Sequence, residues 1–271
     1  MNPTAAPPLP QQTFHTERLL IDILRHGRSP AERATAAAVL KVFVHQSDGT
    51  RAALIACLDG LQEREDLVRA AAAKSLSLAG GDNASRSALE RIAARFDESL
   101  GLRALCLKAM YGMVDVQGSL LIDILRRPSE PLVLRQAAAW ALFKASHRID
   151  TRDALLEALK ETLEPPLRFE ALRSLFGAAE TIQGREAFLR LAQDTAELSE
   201  LRVLAVLGLI AANRDPEIAR LLERLSSRDP DARVRIAAGQ AMSGAVDESV
   251  AESFHLDQVG PGLWRDPLLH E

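Results

Sequence analysis

Val68-Arg69-Ala70-Ala71-Ala72-Ala73-Lys74-Ser75-Leu76 decides the fold, because its pattern returns along the chain: an apolar residue, an arginine, small residues and a closing Leu or Met. The copies begin at Glu32-Arg33, Val68-Arg69, Leu102-Arg103, Leu134-Arg135, Leu167-Arg168, Leu201-Arg202 and Val234-Arg235, and only the first lacks the apolar lead. Successive arginines in that series are 36, 34, 32, 33, 34 and 33 residues apart. A period of this length, carried by segments with helical spacing, marks stacked helical repeats, each burying its apolar face against its neighbours.

Outward from each arginine segment, a second apolar-periodic stretch precedes it. Leading helices are expected near 17–25, 51–59, 85–95, 119–126, 152–163, 185–192 and 216–225. Leu19 to Arg25 and Leu120 to Arg126 both read Leu-Leu-Ile-Asp-Ile-Leu-Arg, about three periods apart, which duplication of repeat units explains. Breakers and caps such as Arg28-Ser29-Pro30, Glu164-Pro165-Pro166 and Asp229-Pro230-Asp231 separate the paired helices. Gly112, Gly177 and Gly244 all stand nine residues after an arginine and read as helix stops. An acid (Glu65, Asp97, Glu130, Glu164, Glu197 or Asp229) precedes six of the seven arginines by four to six positions. These charges read as structural, the acids at helix starts and the arginines reaching a neighbouring repeat's acid or carbonyls.

Composition agrees with close helix packing. Hydrophobic residues make up 47% of 271 but aromatics only 4%, so the core must be built from Ala and Leu. The 33 basic and 37 acidic groups leave a formal charge of −4, which supplies no global field for nucleic acid. Cys57 and Cys106 fall on apolar helical positions and read as core thiols of a reducing compartment. Residues 1–13 read as a disordered Pro/Ala-rich lead-in, 14–246 as the repeat array, and 247–271 as a capping helix with an apolar tail containing Trp264 and Leu268. No stretch approaches the roughly 18 apolar residues of a membrane helix, so a soluble, cytoplasmic protein is expected.

Helix pairs of this period, with Val/Leu-Arg-x-Ala-Ala-x-x-Ala-Leu in the second helix, resemble HEAT repeats. The resemblance spans roughly 14–245 and implies an all-α, right-handed α-solenoid of about seven helix pairs. It also implies a noncatalytic role in binding other macromolecules, with the second helices lining a concave surface.

With each arginine counted as zero, positions −1, +3, +6 and +7 share one helical face and form the expected core. Positions +1, +5 and +8 lie opposite. A face that meets only water should be polar, yet four neighbouring helices place Lys108 and Tyr111, then Trp140 and Phe143, then Phe169, Arg173 and Phe176, then Val203, Leu207 and Ile210 there. Those first seven residues are the candidate partner-binding set, suited to a protein partner that brings apolar anchors and acidic flanks. A second reading has Tyr111, Phe143 and Phe176 packing on one another and Trp140 lying over Lys108 or Arg173. Phe254, Trp264 and Leu268 of the tail offer a third, by filling the groove in the same chain or in a second copy.

Enzymes that resemble HEAT arrays give specific tests. Deoxyhypusine hydroxylase holds two irons with repeated His-Glu pairs, whereas the one such pair here is His270-Glu271, and the six histidines do not share ligand spacing. No metal or cofactor is expected. Phycobilin lyase subunits are similar in architecture, and a linear tetrapyrrole against Trp140, Phe143, Lys108 and Arg173 is the alternative function. Nucleic-acid binding, as in HEAT-like glycosylases, fits less well with a thin basic line on an acidic chain.

Overall fold

The computed structural model describes residues 9–61, 63–112, 119–161 and 164–244. Those residues form fourteen α-helices and no strand. In order they are α1 (Leu9–His26), α2 (Pro30–Leu40), α3 (Asp48–Leu58), α4 (Asp66–Leu76), α5 (Asn83–Ala94), α6 (Leu100–Ala109), α7 (Ser119–Arg126), α8 (Leu132–Ala141), α9 (Ile149–Glu161), α10 (Pro165–Ser174), α11 (Ile182–Gln193), α12 (Ser199–Gly208), α13 (Pro216–Arg228) and α14 (Ala232–Ser243). The helices alternate between leading and arginine-bearing members, as the period requires. Segment 247–271, where the sequence places a capping helix and apolar tail, lies outside the described residues.

Several leading helices start ahead of their apolar periodicity because a cap sets the start. Ser47, Asp82 and Thr181 accept the backbone N–H of Thr50, Ser85 and Gly184, so α3, α5 and α11 begin at 48, 83 and 182. Ser29 and Glu32 complete a reciprocal capping box at α2. The glycines expected to stop the second helices do so only at Gly244, which is left-handed at φ 71° and ψ 12°. After α4, α6, α8, α10 and α12 the chain tightens into a 3₁₀ turn, at Ser77–Ala79, Met110–Gly112, Phe143–Ala145, Leu175–Ala178 and Ile210–Ala212. The shorter ring satisfies carbonyls that would otherwise be orphaned.

The chain divides into two compact units, Met1–Leu120 and Leu121–Glu271, where the period alone reads one array. In the first, α2, α4 and α6 pack side by side, and α1, α3 and α5 back them. In the second, α8, α10, α12 and α14 form the row, backed by α9, α11 and α13. The small +3 residues, from Ala36 to Ala238, are all buried, as are the large +7 residues from Leu40 to Leu209.

Two apolar residues at expected core positions are not buried: Val39 at +6 of α2 is 42% exposed, and Met242 at +7 of α14 is 46% exposed. Position +6 faces the preceding repeat, as Ser75 demonstrates by donating its hydroxyl to Ala37 O at 2.8 Å. Val39 lies on the first helix of the first unit's row and Met242 on the last helix of the second unit's row.

All seven repeat arginines cap the leading helix of their own pair or the turn after it. Guanidinium N–H groups of Arg33, Arg69, Arg103, Arg135, Arg168, Arg202 and Arg235 donate to the carbonyls of Gly27, Leu58, Ala93, Leu125, Leu159, Ala192 and Asp229, at 2.7–3.2 Å. Arg33, Arg69, Arg168 and Arg202 also pair forward with an acid before the next arginine helix, namely Glu63, Glu98, Glu197 and Asp229. Glu63 and Glu98 thus take the places that spacing assigns to Glu65 and Asp97.

Candidate functional site

The candidate residues fall in both units. Lys108 stands half-buried on α6, and Tyr111 half-buried in the 3₁₀ turn after it. The remaining five belong to the second unit, where α8, α10 and α12 present positions +1, +5 and +8 on the face turned away from the core. We call this the inner face.

Trp140 and Arg173 occupy the same register position, +5, on the adjacent helices α8 and α10. That register brings the Arg173 guanidinium over the Trp140 ring, 5.7 Å from its centre. Arg173 is only 3% exposed. Its Nε and Nη2 both donate to Glu170 Oε2, at 3.0 and 2.8 Å, from one turn earlier on the same helix. Trp140, Arg173 and Glu170 therefore form a stacked, charge-compensated unit, with a cation–π contribution of about 0.5–2 kcal/mol. Arg173 fixes the indole, with its own charge already shared.

Phe176, in the 3₁₀ turn Leu175–Ala178, meets the fully buried Phe188 of α11 edge to face, with centroids 5.5 Å apart and planes at 76°. Part of its surface is committed to the core. Phe143 and Phe169 are half-buried. On α12, Val203 is 3% and Leu207 2% exposed, although both point away from the core positions Ala205 and Leu209. Sequence reasoning places these two on the inner face without foreseeing their burial. The signal was present: Leu201 to Leu209 is apolar on every side except Arg202, the composition of a helix covered all round.

Burial pushes the Cys57 thiol up to about 12 and raises that of Cys106 further, so neither supplies a thiolate near neutral pH. Among the described residues no group of three or more His, Cys, Asp or Glu side chains could hold a metal, and no helix is long and apolar enough to cross a membrane.

No family model matches the chain, and neither does any curated protein. Its fold is similar to that in the complex of CpcE and CpcF of phycocyanin lyase from Nostoc sp. PCC7120, at 18% identity and a TM-score of 0.52, covering 96% of this chain and 97% of that one. Human deoxyhypusine hydroxylase in complex with glycerol aligns at 20% identity over 87% of this chain and 98% of that one, with a TM-score of 0.39. YibA of E. coli aligns at 16% identity over 90% and 99%, with a TM-score of 0.44. The first of these likenesses supports a helical-repeat fold.

Proposed function

We propose that the protein is a noncatalytic binding scaffold whose inner face takes a peptide or helix from a protein partner. Trp140, Phe143, Phe169 and Phe176 act as anchors in the second unit, and Lys108 and Tyr111 are the contact positions of the first. One observation carries this reading. Of the twelve positions +1, +5 and +8 on α8, α10, α12 and α14 and the turns after them, eight hold large apolar residues, one holds a cation and none holds a carboxylate. A face that meets only water has no use for that composition. It suits apolar anchors with acidic flanks, and Arg173 holds Trp140 ready for them at little entropic cost.

Selection of displayed peptides on the folded chain tests the reading. Enriched sequences are expected to carry two or more apolar anchors among acidic residues. Phe169→Ser, in a variant of unchanged helix content, should weaken their binding by about tenfold or more, the effect of truncating an anchor. Peptides that bind Phe169→Ser as well as wild type would place binding elsewhere. The likeness to a phycocyanin lyase structure concerns the fold, so a linear tetrapyrrole serves as the control ligand. A new visible band on titration, lost with Trp140→Ser, would replace the peptide reading with a pigment-binding one.

A further inference from the structure

We infer that the occupant of the second unit's inner face is the chain's own C-terminal segment, 247–271, seated in cis through Phe254, Trp264 and Leu268. The inference deepens the binding reading, since it assigns the same face an internal ligand with which any external partner must compete.

Three observations converge. Val203 and Leu207 are 3% and 2% exposed on the face opposite the α12 core positions. Among the described elements, α10 and α14 flank α12 and α11 backs it. Side chains closed off from solvent on the remaining side need a cover, and a cover for Val203 and Leu207 must itself be apolar.

Charge supplies the second observation. From 245 to 271 the chain has six acids and one arginine, a net of −5, which leaves 32 basic and 31 acidic groups elsewhere, a net of +1. The segment thus holds more than the whole negative charge of the protein, and on the inner face of its unit the carboxylate of Glu170 is already held by Arg173. Its apolar residues alternate with these acids, so it has the anchor-and-flank composition expected of a ligand for this face.

Reach is the third. Trp264 lies twenty positions beyond Gly244, and an extended chain spans about 3.3 Å per residue, ample to return across neighbouring helices roughly 10 Å apart. Tethering of this kind presents the segment at an effective concentration on the order of millimolar, so a free ligand of modest affinity is kept out until the segment is drawn away.

Two full-length variants test the seat with Trp140 as the sole tryptophan: Trp264→Phe, which keeps an aromatic anchor, and Trp264→Ser/Leu268→Ser/Phe254→Ser, which removes all three. Circular dichroism first establishes equal helix content. Acrylamide quenching of Trp140 should rise about twofold in the serine variant, and a labelled synthetic peptide of residues 247–271 should bind that variant about tenfold more tightly than the phenylalanine one, as expected once a tethered competitor is gone. Equal quenching and equal peptide binding in the two variants would overturn the inference. So would sedimentation of Trp264→Phe as a dimer that dissociates in the serine variant, because the segment would then serve a second copy. A Trp140 response to the tail, with no displayed peptide selected by the chain, would leave the seat standing and remove the external partner.

Discussion

At the scale of single residues, Arg202 and Asp229 show what the repeated arginine does. Their side chains are 3% and 2% exposed, they meet through two hydrogen bonds, and Arg202 also caps Ala192 O at 3.1 Å. Two charges withdrawn from water this fully are tolerated only as a pair, and removing one member strands the other. Asp229→Asn should therefore cost about 3 kcal/mol in a urea titration, whereas Glu200→Gln, which breaks the exposed pair with Arg233, should leave the midpoint nearly unmoved. Equal losses would mean that the forward pairs of the ladder do not hold the repeats together.

At the scale of elements, packing turns on how closely the paired helices approach. Gly208 of α12 lies against Phe188 of α11 so tightly that an added Cβ would stand 2.4 Å from the ring, and that ring is wholly buried and already engaged by Phe176. Gly208→Ala should cost about 1–3 kcal/mol by overpacking, despite the higher helix propensity of alanine. Thermal unfolding would reveal it, and a rise in stability would show that the helices can separate. The same elements show what was legible in the sequence. Periodicity places every second helix and its buried small residues, because both follow from one chain's 3.6-residue geometry. Exposure depends on neighbours, which periodicity does not report: in the repeated heptapeptide, Leu19 is 52% exposed and Leu20 and Ile21 half-buried, while Leu121 and Ile122 of the second copy are 3% and 6% exposed. The inner face was legible in composition, and the stacking of Trp140 on Arg173 is one of the two placements the sequence offered for that ring, whereas the turn of Phe176 toward Phe188 depends on the approach of adjacent helices.

At the scale of the whole molecule, the ladder ties stability to pH in both units. Glu98 is held below the usual carboxylate range by its hydrogen bonds from Arg69, against the opposing effect of burial. For Glu63 and Glu197 burial is the largest influence and works upward, but hydrogen bonds from Arg33 and Arg168, joined by backbone N–H groups, bring both below the usual range. A carboxyl whose folded pKa is depressed binds its proton more readily when unfolded. It therefore contributes stability above the unfolded value of about 4.3, and that contribution drains away as pH falls through the folded value. Because these groups are largely buried, added salt should screen the effect only weakly. Scanning calorimetry between about pH 7 and pH 3 should show a melting temperature that falls on the acid side. Glu98→Gln should melt lower than wild type at neutral pH and lose part of the acid slope, since its contribution is already absent. Parallel curves, offset by a constant, would indicate that Glu98 stabilises by packing alone and that the acid limb belongs to other groups.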